Sequence, residues 1–131
     1  MYILFELGIN ENEIINMIEQ VPEIKDLEDI EIERKIYLLK QIGCLDKHIR
    51  NILIANPYYL DSFNEDIISL IKTLNKYRFN NIYLLLDSNP FILNLESFEI
   101  EDYINNKLKN NYELEDIINE LESNPYLFNE M

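Results

Sequence analysis

The chain has 131 residues, 47% of them hydrophobic, so it is long enough to bury one ordinary core and too apolar to remain disordered. Its formal net charge of −14 argues against a uniform phosphate-binding surface, and its single cysteine excludes an internal disulfide and fits a reducing compartment. The apolar start at residues 1–7 lacks a basic flank, and no apolar run has the roughly 18 to 20 residues of a membrane span. We therefore expect one soluble domain over residues 1–131, located in the cytoplasm, with no membrane partner.

The charge is unevenly distributed along the chain. Residues 1–33 have a net charge of −9, residues 34–86 have +4, and residues 87–131 have −9. A mildly basic centre therefore lies between two acidic ends. The two kinds of surface suggest two different kinds of partner.

An internal repeat is visible in the positions of the prolines. The chain has only four, spaced by 35, 33 and 35 residues: Pro22, Pro57, Pro90 and Pro125. An isoleucine lies eight residues before each proline and an aliphatic residue four before it, so that each pair shares one helical face. The only two glycines, Gly8 and Gly43, lie fourteen residues before the first two prolines. One shared register for every proline and glycine indicates a repeated structural unit.

Each unit is predicted to contain two helices and a turn. A first helix ends near the glycine position, which favours the left-handed conformation of a helix C-terminus. A second helix ends before the Xaa-Pro pair, because the residue before proline is disfavoured in helical conformation, and the short apolar segment after proline suits a 3₁₀ turn. The first helix of the second repeat is expected at residues 29–42, the third to begin after Ser62 or Asn64, and the fourth near Ser97. The second helices are expected at residues 10–20, 46–55, 80–88 and 113–123.

The competing interpretation is that residues 52–54 and 82–86 are buried strands, and their length alone does not separate strand from helix. The repeat decides between the two, because all four copies would have to be strands and residues 115–122 read poorly as one. We therefore predict an all-α fold: a right- or left-handed helical-repeat solenoid of about four units, with repeats at residues 1–27, 28–62, 63–95 and 96–131.

This pattern of glycine, polar helix start, aliphatic pair and proline resembles the repeat of the mitochondrial transcription termination factor (mTERF) family. The resemblance is clearest over residues 38–57, LLKQIGCLDKHIRNILIANP; repeats one and four match more loosely, and repeat three has Lys76 at the glycine position. It covers nearly the whole chain, although this chain is shorter and more acidic than is usual in that family. It implies two α-helices and a 3₁₀ turn per unit, stacked into a curved solenoid whose concave groove binds nucleic acid.

Catalytic and metal-binding sites lack the parts they need. One histidine and one cysteine exclude a zinc cage of thiolates and imidazoles, and two glycines exclude a phosphate-cradling loop. Cys44 and His48 lie four residues apart but have no evident third group to orient them as nucleophile and base. Carboxylate pairs such as Glu99 with Asp102 are interpreted as solvated surface charge rather than a metal or acid–base pair. We expect a binding protein, not an enzyme, with no cofactor.

The acidic ends are the preferred binding surface in this interpretation. Carboxylates spaced along helices imitate a phosphate backbone, so they would dock on a basic protein and inhibit a nucleic-acid-binding enzyme, as acidic anti-CRISPR inhibitors do. Solubility and helix-start charge are the simpler explanation of the same residues. The residues of this predicted acidic surface are Glu28, Asp29, Glu31, Glu33, Glu99, Glu101, Asp102, Glu113, Glu115 and Asp116.

The basic centre supports the alternative, a nucleic-acid-binding protein of the mTERF type. Lysine and arginine beside exposed amides hold phosphates by charge and hydrogen bonds. Ordinary solvated bases that balance nearby acids are the simpler explanation here. The predicted patch consists of Arg34, Lys35, Lys47, Arg50, Lys72, Lys76 and Arg78.

A third hypothesis concerns the start of the chain. Residues 1–7 are too short for a full first helix, and an unfinished repeat leaves an apolar flank uncovered. The sequence therefore also predicts a protein interaction module that forms a homodimer through its exposed repeat end.

Overall fold

The computed structural model describes residues 1–131 and contains nine α-helices, three 3₁₀ helices and no strand. The α-helices are α1 (Tyr2–Glu6), α2 (Glu11–Gln20), α3 (Asp29–Gln41), α4 (Asp46–Ala55), α5 (Tyr58–Asp61), α6 (Asn64–Lys76), α7 (Ile82–Ser88), α8 (Ser97–Lys109) and α9 (Leu114–Ser123). The 3₁₀ helices are η1 (Pro22–Asp26), η2 (Pro90–Asn94) and η3 (Pro125–Glu130). The prediction of an all-α helical-repeat fold is confirmed.

The chain forms two compact units, Met1–Phe63 and Asn64–Met131, called unit 1 and unit 2 below. Each unit contains two of the four repeats. In unit 1, α1 packs on α3 and α2 packs on α4 and η1; in unit 2, α6 packs on α8, and α8 packs on α9. The junction between the units lies within one residue of the predicted boundary between the second and third repeats.

The second helices end where the sequence predicts. Each stops at the residue preceding the Xaa-Pro pair: Gln20, Ala55, Ser88 and Ser123. Their starts agree within one residue for α2, α4 and α9, whereas α7 begins at Ile82, two residues later than expected. The isoleucine eight residues before each proline is buried in all four repeats: Ile14, Ile49, Ile82 and Ile117. The aliphatic face inferred from the repeat is therefore the core face.

All four first helices end in the same hydrogen-bonded turn. A residue with left-handed backbone conformation occupies the cap, and the N–H of the next residue bonds to the carbonyl five positions earlier at 3.1–3.3 Å, which defines a Schellman motif. The predicted role of the glycines is confirmed, since φ is 90° at Gly8 and 101° at Gly43. The cap residues of the third and fourth repeats are Arg78 (φ 63°) and Asn111 (φ 70°).

The third repeat requires a correction. Counting back from Pro90 placed Lys76 at the glycine position, but Lys76 is the last residue of α6 and Arg78 has the left-handed conformation. The reason is that α7 has seven residues where the other second helices have ten. The distance from cap to proline is therefore two residues shorter in this repeat.

The turns that follow the prolines pack against one another within each unit, α5 on η1 and η2 on η3. Pro22, Pro90 and Pro125 begin 3₁₀ helices as expected, whereas Pro57 is followed by one α-helical turn. In that turn Tyr59 is fully buried and its hydroxyl donates to the Lys35 carbonyl at 2.6 Å. The expectation of a 3₁₀ turn after Pro57 is therefore wrong in detail, although the segment still closes its repeat.

The asparagine before proline has a structural function that the sequence did not reveal. Asn89 is fully buried, and its amide nitrogen donates to the Pro125 carbonyl and to Oδ1 of Asn129, both at 3.0 Å. Its own Oδ1 accepts the N–H of Phe91 at 3.2 Å. One side chain thus caps η2 and joins it to η3, the corresponding turn of the next repeat.

Candidate functional site

The acidic residues predicted near the first end of the chain lie at the start of α3. Oε2 of Glu31 accepts the backbone N–H of Glu28 at 3.0 Å, and the Asp29 carboxylate pairs with the amino group of Met1 at 3.1 Å. Carboxylates at this end also offset the positive end of the helix dipole. Asp29 and Glu31 therefore stabilise the helix start, whereas Glu33 is exposed and makes no hydrogen bond or ion pair.

In unit 2 the predicted acidic residues divide in the same way. Oε1 of Glu99 accepts the backbone N–H of Glu96 at 3.1 Å, and Glu101 pairs with Nζ of Lys76 at 3.7 Å. Four others are exposed on α8, at the N-cap of α9 or in its first turn: Asp102, Glu113, Glu115 and Asp116. Because α9 contains no basic residue, its exposed face carries uncompensated negative charge.

Two of the four predicted bases of unit 1, Lys47 and Arg50, lie on α4, the only second helix that contains lysine or arginine. Lys47 is exposed and Arg50, one turn later, is half-buried. The Arg50 guanidinium packs over the turn at Gly8, where an added Cβ would lie 3.1 Å from Nη1. Arg34 is exposed on α3. The turn of the first repeat thus holds one of the two bases of α4 in place.

Lys35 does not belong to a surface patch, so this part of the prediction is wrong. Only 6% of Lys35 is exposed, and its ammonium donates to the backbone carbonyl of Ser62. Its own carbonyl accepts the Tyr59 hydroxyl. Lys35 and Tyr59 therefore connect the end of the second repeat to α3 by hydrogen bonds. The Lys35 ammonium contributes to the fold and is not available at the surface.

Unit 2 supplies three exposed bases. Lys72 and Lys76 lie four residues apart on one face of α6, and the Lys76 ammonium lies 5.2 Å from the centre of the Tyr77 ring. Arg78 borders a groove of about 340 Å³ that Asn80 and residues of α9 also line. The grouping of these three bases with those of unit 1 into one patch stays a prediction.

Cys44 and His48 have structural functions. Both are buried, at 5% and 8% exposure. Nδ1 of His48 accepts the backbone N–H of Leu45 at 2.9 Å, as Glu13, Glu31 and Glu99 do at the starts of their helices. Cys44 follows the left-handed Gly43 and closes the Schellman turn. Cys44 thus stabilises the end of α3, and His48 stabilises the start of α4.

A groove between α1 and α3 is the feature of unit 1 that the residue-by-residue prediction missed. It has a volume of about 560 Å³, and its lining includes Ile3, Ile30 and Tyr37 together with Glu6 and Glu33. The available signal was the shortness of the first helix, since α1 has five residues and α3 has thirteen. That signal gave the location of an uncovered surface and not its charges.

No group of three or more histidine, cysteine, aspartate or glutamate residues is placed to hold a metal ion. None of the helices combines the length and the apolar character that crossing a bilayer requires.

The sequence matches the model of a known protein family. The family model described as mTERF matches residues 1–119 of the chain. No curated protein matches the sequence. The match extends over all of unit 1 and over unit 2 as far as the middle of α9.

Proposed function

Because the chain belongs to the mTERF family of helical-repeat proteins, we propose that it binds nucleic acid and that α4 carries the phosphate contacts. The proposed activity is binding, without catalysis. Inhibition of a basic nucleic-acid-binding protein by the acidic surface is a second candidate function.

The observation that carries the proposal is the concentration of basic side chains on α4. The other three second helices contain no base, whereas α4 presents Lys47 and Arg50 one turn apart, beside the exposed amide of Asn51. Lysine, arginine and asparagine are among the side chains that contact phosphate and sugar oxygens. The contact of Arg50 with the turn at Gly8 restricts its motion, which reduces the entropy lost on binding.

The net charge of −14 limits how such a protein binds but does not prevent it. About half of the 25 acidic residues lie in the first turn of a helix, where they stabilise the fold. At physiological ionic strength the Debye length is about 8 Å, so carboxylates farther away than this act weakly on a phosphate at α4. We therefore expect a small contact with few phosphates, strongest at low salt.

The proposal is tested by gel shift or fluorescence anisotropy with short single- and double-stranded DNA and RNA at low salt. Lys47→Glu with Arg50→Glu should abolish binding. A milder variant replaces both Lys47 and Arg50 by Gln. If each of these residues contacts one phosphate, the slope of log affinity against log salt should be smaller in magnitude by roughly 1.8 in this variant than in the wild type.

The matched control is Lys25→Glu with Lys109→Glu, two exposed bases outside α4 with the same change in net charge. Nearly unchanged affinity in the control supports α4 as the contact. An equal loss in both variants means that net charge alone decides. Absence of binding by the wild type at micromolar concentration removes the proposal.

The second candidate is the docking of the acidic surface on a basic nucleic-acid-binding protein, with inhibition of that protein. The supporting observation is α9, whose exposed carboxylates include Glu115, Asp116 and Glu120 and which has no base to neutralise them. Such an array is complementary to a groove that normally holds a phosphate backbone.

This candidate is tested on basic nucleic-acid-binding proteins of the host, by measuring affinity at two salt concentrations and release of their nucleic acid. Reversing Glu115, Asp116 and Glu120 to lysine should abolish the interaction. Reversal of Glu11, Glu19 and Glu23 to lysine, three exposed acids of α2 and η1, changes the net charge by the same amount and serves as the control. Absence of any salt-sensitive affinity in the wild type rejects the candidate.

A further inference from the structure

The face formed by α1 and α3 leaves apolar side chains uncovered. In the groove between these helices, Tyr37 is 60% and Ile30 is 48% exposed, and on α1, outside the groove lining, Tyr2 is 69% and Phe5 is 49% exposed. Exposed aromatic and aliphatic side chains on two adjacent helices are a feature that proteins use for association. We call this surface the α1/α3 face.

The charges of the α1/α3 face differ from those of the equivalent face in unit 2. When the repeats are aligned on their left-handed cap residues, Lys76 and Glu101 of α6 and α8, which form an ion pair at 3.7 Å, correspond to Glu6 and Glu33. Both glutamates line the groove, and neither makes a hydrogen bond or an ion pair. The groove thus has a carboxylate on each wall. It has Glu6 at the position where unit 2 has Lys76, the lysine that pairs with Glu101.

A cation is present on the same rim. Arg34 also lines the groove, is exposed, and makes no hydrogen bond or ion pair. The two remaining charged residues of the lining, Lys40 and Asp46, pair with each other at 3.7 Å. The uncompensated charges of the face are therefore Glu6, Glu33 and Arg34, two negative and one positive.

We propose that the α1/α3 face is the contact surface of a symmetric dimer, in which Arg34 of each copy lies between Glu6 and Glu33 of the other. A two-fold axis brings the same patch of both copies together, so a patch with both signs of charge pairs with itself. A nucleic acid would meet the two glutamates, and a uniformly basic partner would meet Arg34. A second copy satisfies all three charges and covers Tyr37 and Ile30 with the same side chains across the axis.

The net charge of −14 opposes this association at long range, and salt decides the balance. The Debye length falls from about 30 Å at 0.01 M salt to about 8 Å at 0.15 M, so repulsion between the two chains is largely screened under physiological conditions. Ion pairs that are partly buried at the contact are screened less. The dimer should therefore be stronger at 0.15 M than at 0.01 M salt, opposite to the salt dependence of nucleic-acid binding.

Sedimentation equilibrium of the whole chain over a range of concentrations tests the proposal, with an expected dissociation constant on the order of micromolar. Arg34→Glu places three carboxylates on the face, and Glu6→Arg with Glu33→Arg places three guanidinium groups there. Each of these variants should weaken its own dimer by at least about tenfold. In an equimolar mixture their faces are complementary again, and a heterodimer should form.

Two controls make the outcome specific. Lys25→Glu changes the net charge as much as Arg34→Glu does but lies outside the groove lining and outside α4, so its dimer should be unaffected. Circular dichroism establishes that each variant is folded, and the heterodimer in the mixture excludes misfolding as the cause of a monomer. The effect on nucleic-acid binding is measured separately, since that proposal depends on α4.

The proposal is overturned if the wild type remains a monomer at every concentration. It is also overturned if the wild type dimerises but Arg34→Glu does not weaken the dimer, because another surface then makes the contact. Monomers that persist in the mixture of the two charge variants contradict the assigned pairing of Arg34 with Glu6 and Glu33.

Discussion

The two long helices α6 and α8 of unit 2 have the same length and end in the same turn, but they differ on one face. Leu70, Thr73 and Leu74 of α6, and Tyr77 directly after it, are all at most 8% exposed. The residues at the same distances from the left-handed cap that follows α8 are exposed or half-buried and more polar: Tyr103, Asn106, Lys107 and Asn110. Two helices of equal length and with the same terminal turn thus have one face buried in α6 and exposed in α8.

The α8 turn carries a lysine where the other three first helices carry a leucine. At α8 the leucine of the Schellman turn is replaced by Lys107, whose ammonium lies 4.7 Å from the Tyr112 ring and 5.7 Å from the Tyr103 ring. A lysine stem between two tyrosines covers apolar surface while its charge stays in water. The α1/α3 face of unit 1 has no comparable replacement.

The largest expected effect is the truncation of the covered leucine. Leu74→Ala should lower the free energy of unfolding by about 3 to 4 kcal/mol, because Leu74 is fully buried and its removal leaves a cavity. Lys107→Ala at the equivalent position should cost less than about 1 kcal/mol, which is the value of a surface cation–π contact. Urea denaturation of both variants measures the difference. Equal losses would contradict the difference in burial between Leu74 and Lys107.

Most of the helix ends were predictable from the sequence. Pro22, Pro57, Pro90 and Pro125 stop helices by covalent geometry, and Gly8 and Gly43 tolerate left-handed backbone, so their effects are local. Arg78 was missed as the third cap because nothing in its chemistry favours a positive φ. Only the length of α7, which depends on packing, places it there.

The second prediction compares a covered and an uncovered tyrosine. Tyr59→Phe removes a hydroxyl that satisfies the buried Lys35 carbonyl and should lower the free energy of unfolding by about 1 to 3 kcal/mol. Tyr112→Phe should have almost no effect, since Tyr112 is 50% exposed. Chemical denaturation at neutral pH measures both.

The same pair of variants gives an alkaline pH dependence. Burial raises the pKa of the Tyr59 hydroxyl far above its ordinary value, and the nearby Cys44 adds to the shift. The folded protein therefore keeps this proton where the unfolded chain loses it, so the stabilisation is complete below about pH 10 and decreases above it. The gap in stability between the wild type and Tyr59→Phe should narrow by up to about 1.4 kcal/mol per pH unit above pH 10. An unchanged gap would contradict the burial of this hydroxyl.

The third prediction concerns the cap residues. Gly43→Ala should destabilise the protein by about 1 to 2 kcal/mol, because a side chain at φ 101° is strained. Arg78→Gly should act in the opposite direction and stabilise it by about 0.5 to 1 kcal/mol, since glycine is the residue that the other turns prefer. Thermal unfolding of the two variants measures the signs. Destabilisation by Arg78→Gly would mean that contacts of the Arg78 side chain outweigh its backbone strain.

The candidate surfaces were harder to predict than the fold, because a charged residue has the same sequence signature whether it binds a partner or caps a helix. Glu31 and Glu99 proved to accept backbone N–H groups, and Lys35 to be buried on a carbonyl, while Glu33 remains free. Two kinds of contact distinguish the structural charges from the free one: a hydrogen bond that a carboxylate accepts from the N–H three residues earlier, and the packing of α5 on α3. Such contacts depend on the final geometry and not on composition or charge.

The smallest expected effect transfers the ion pair of unit 2 into unit 1. Glu6→Lys places a lysine opposite Glu33, in the arrangement that Lys76 and Glu101 have at 3.7 Å. An exposed pair of this kind contributes about 0.2 to 1 kcal/mol, and the removal of two facing carboxylates adds to the gain. The monomer should therefore become slightly more stable to urea at low salt, and this gain should shrink at high salt. The same change satisfies Glu33 within one chain and leaves no site for Arg34 of a second copy, so stability and self-association should move in opposite directions.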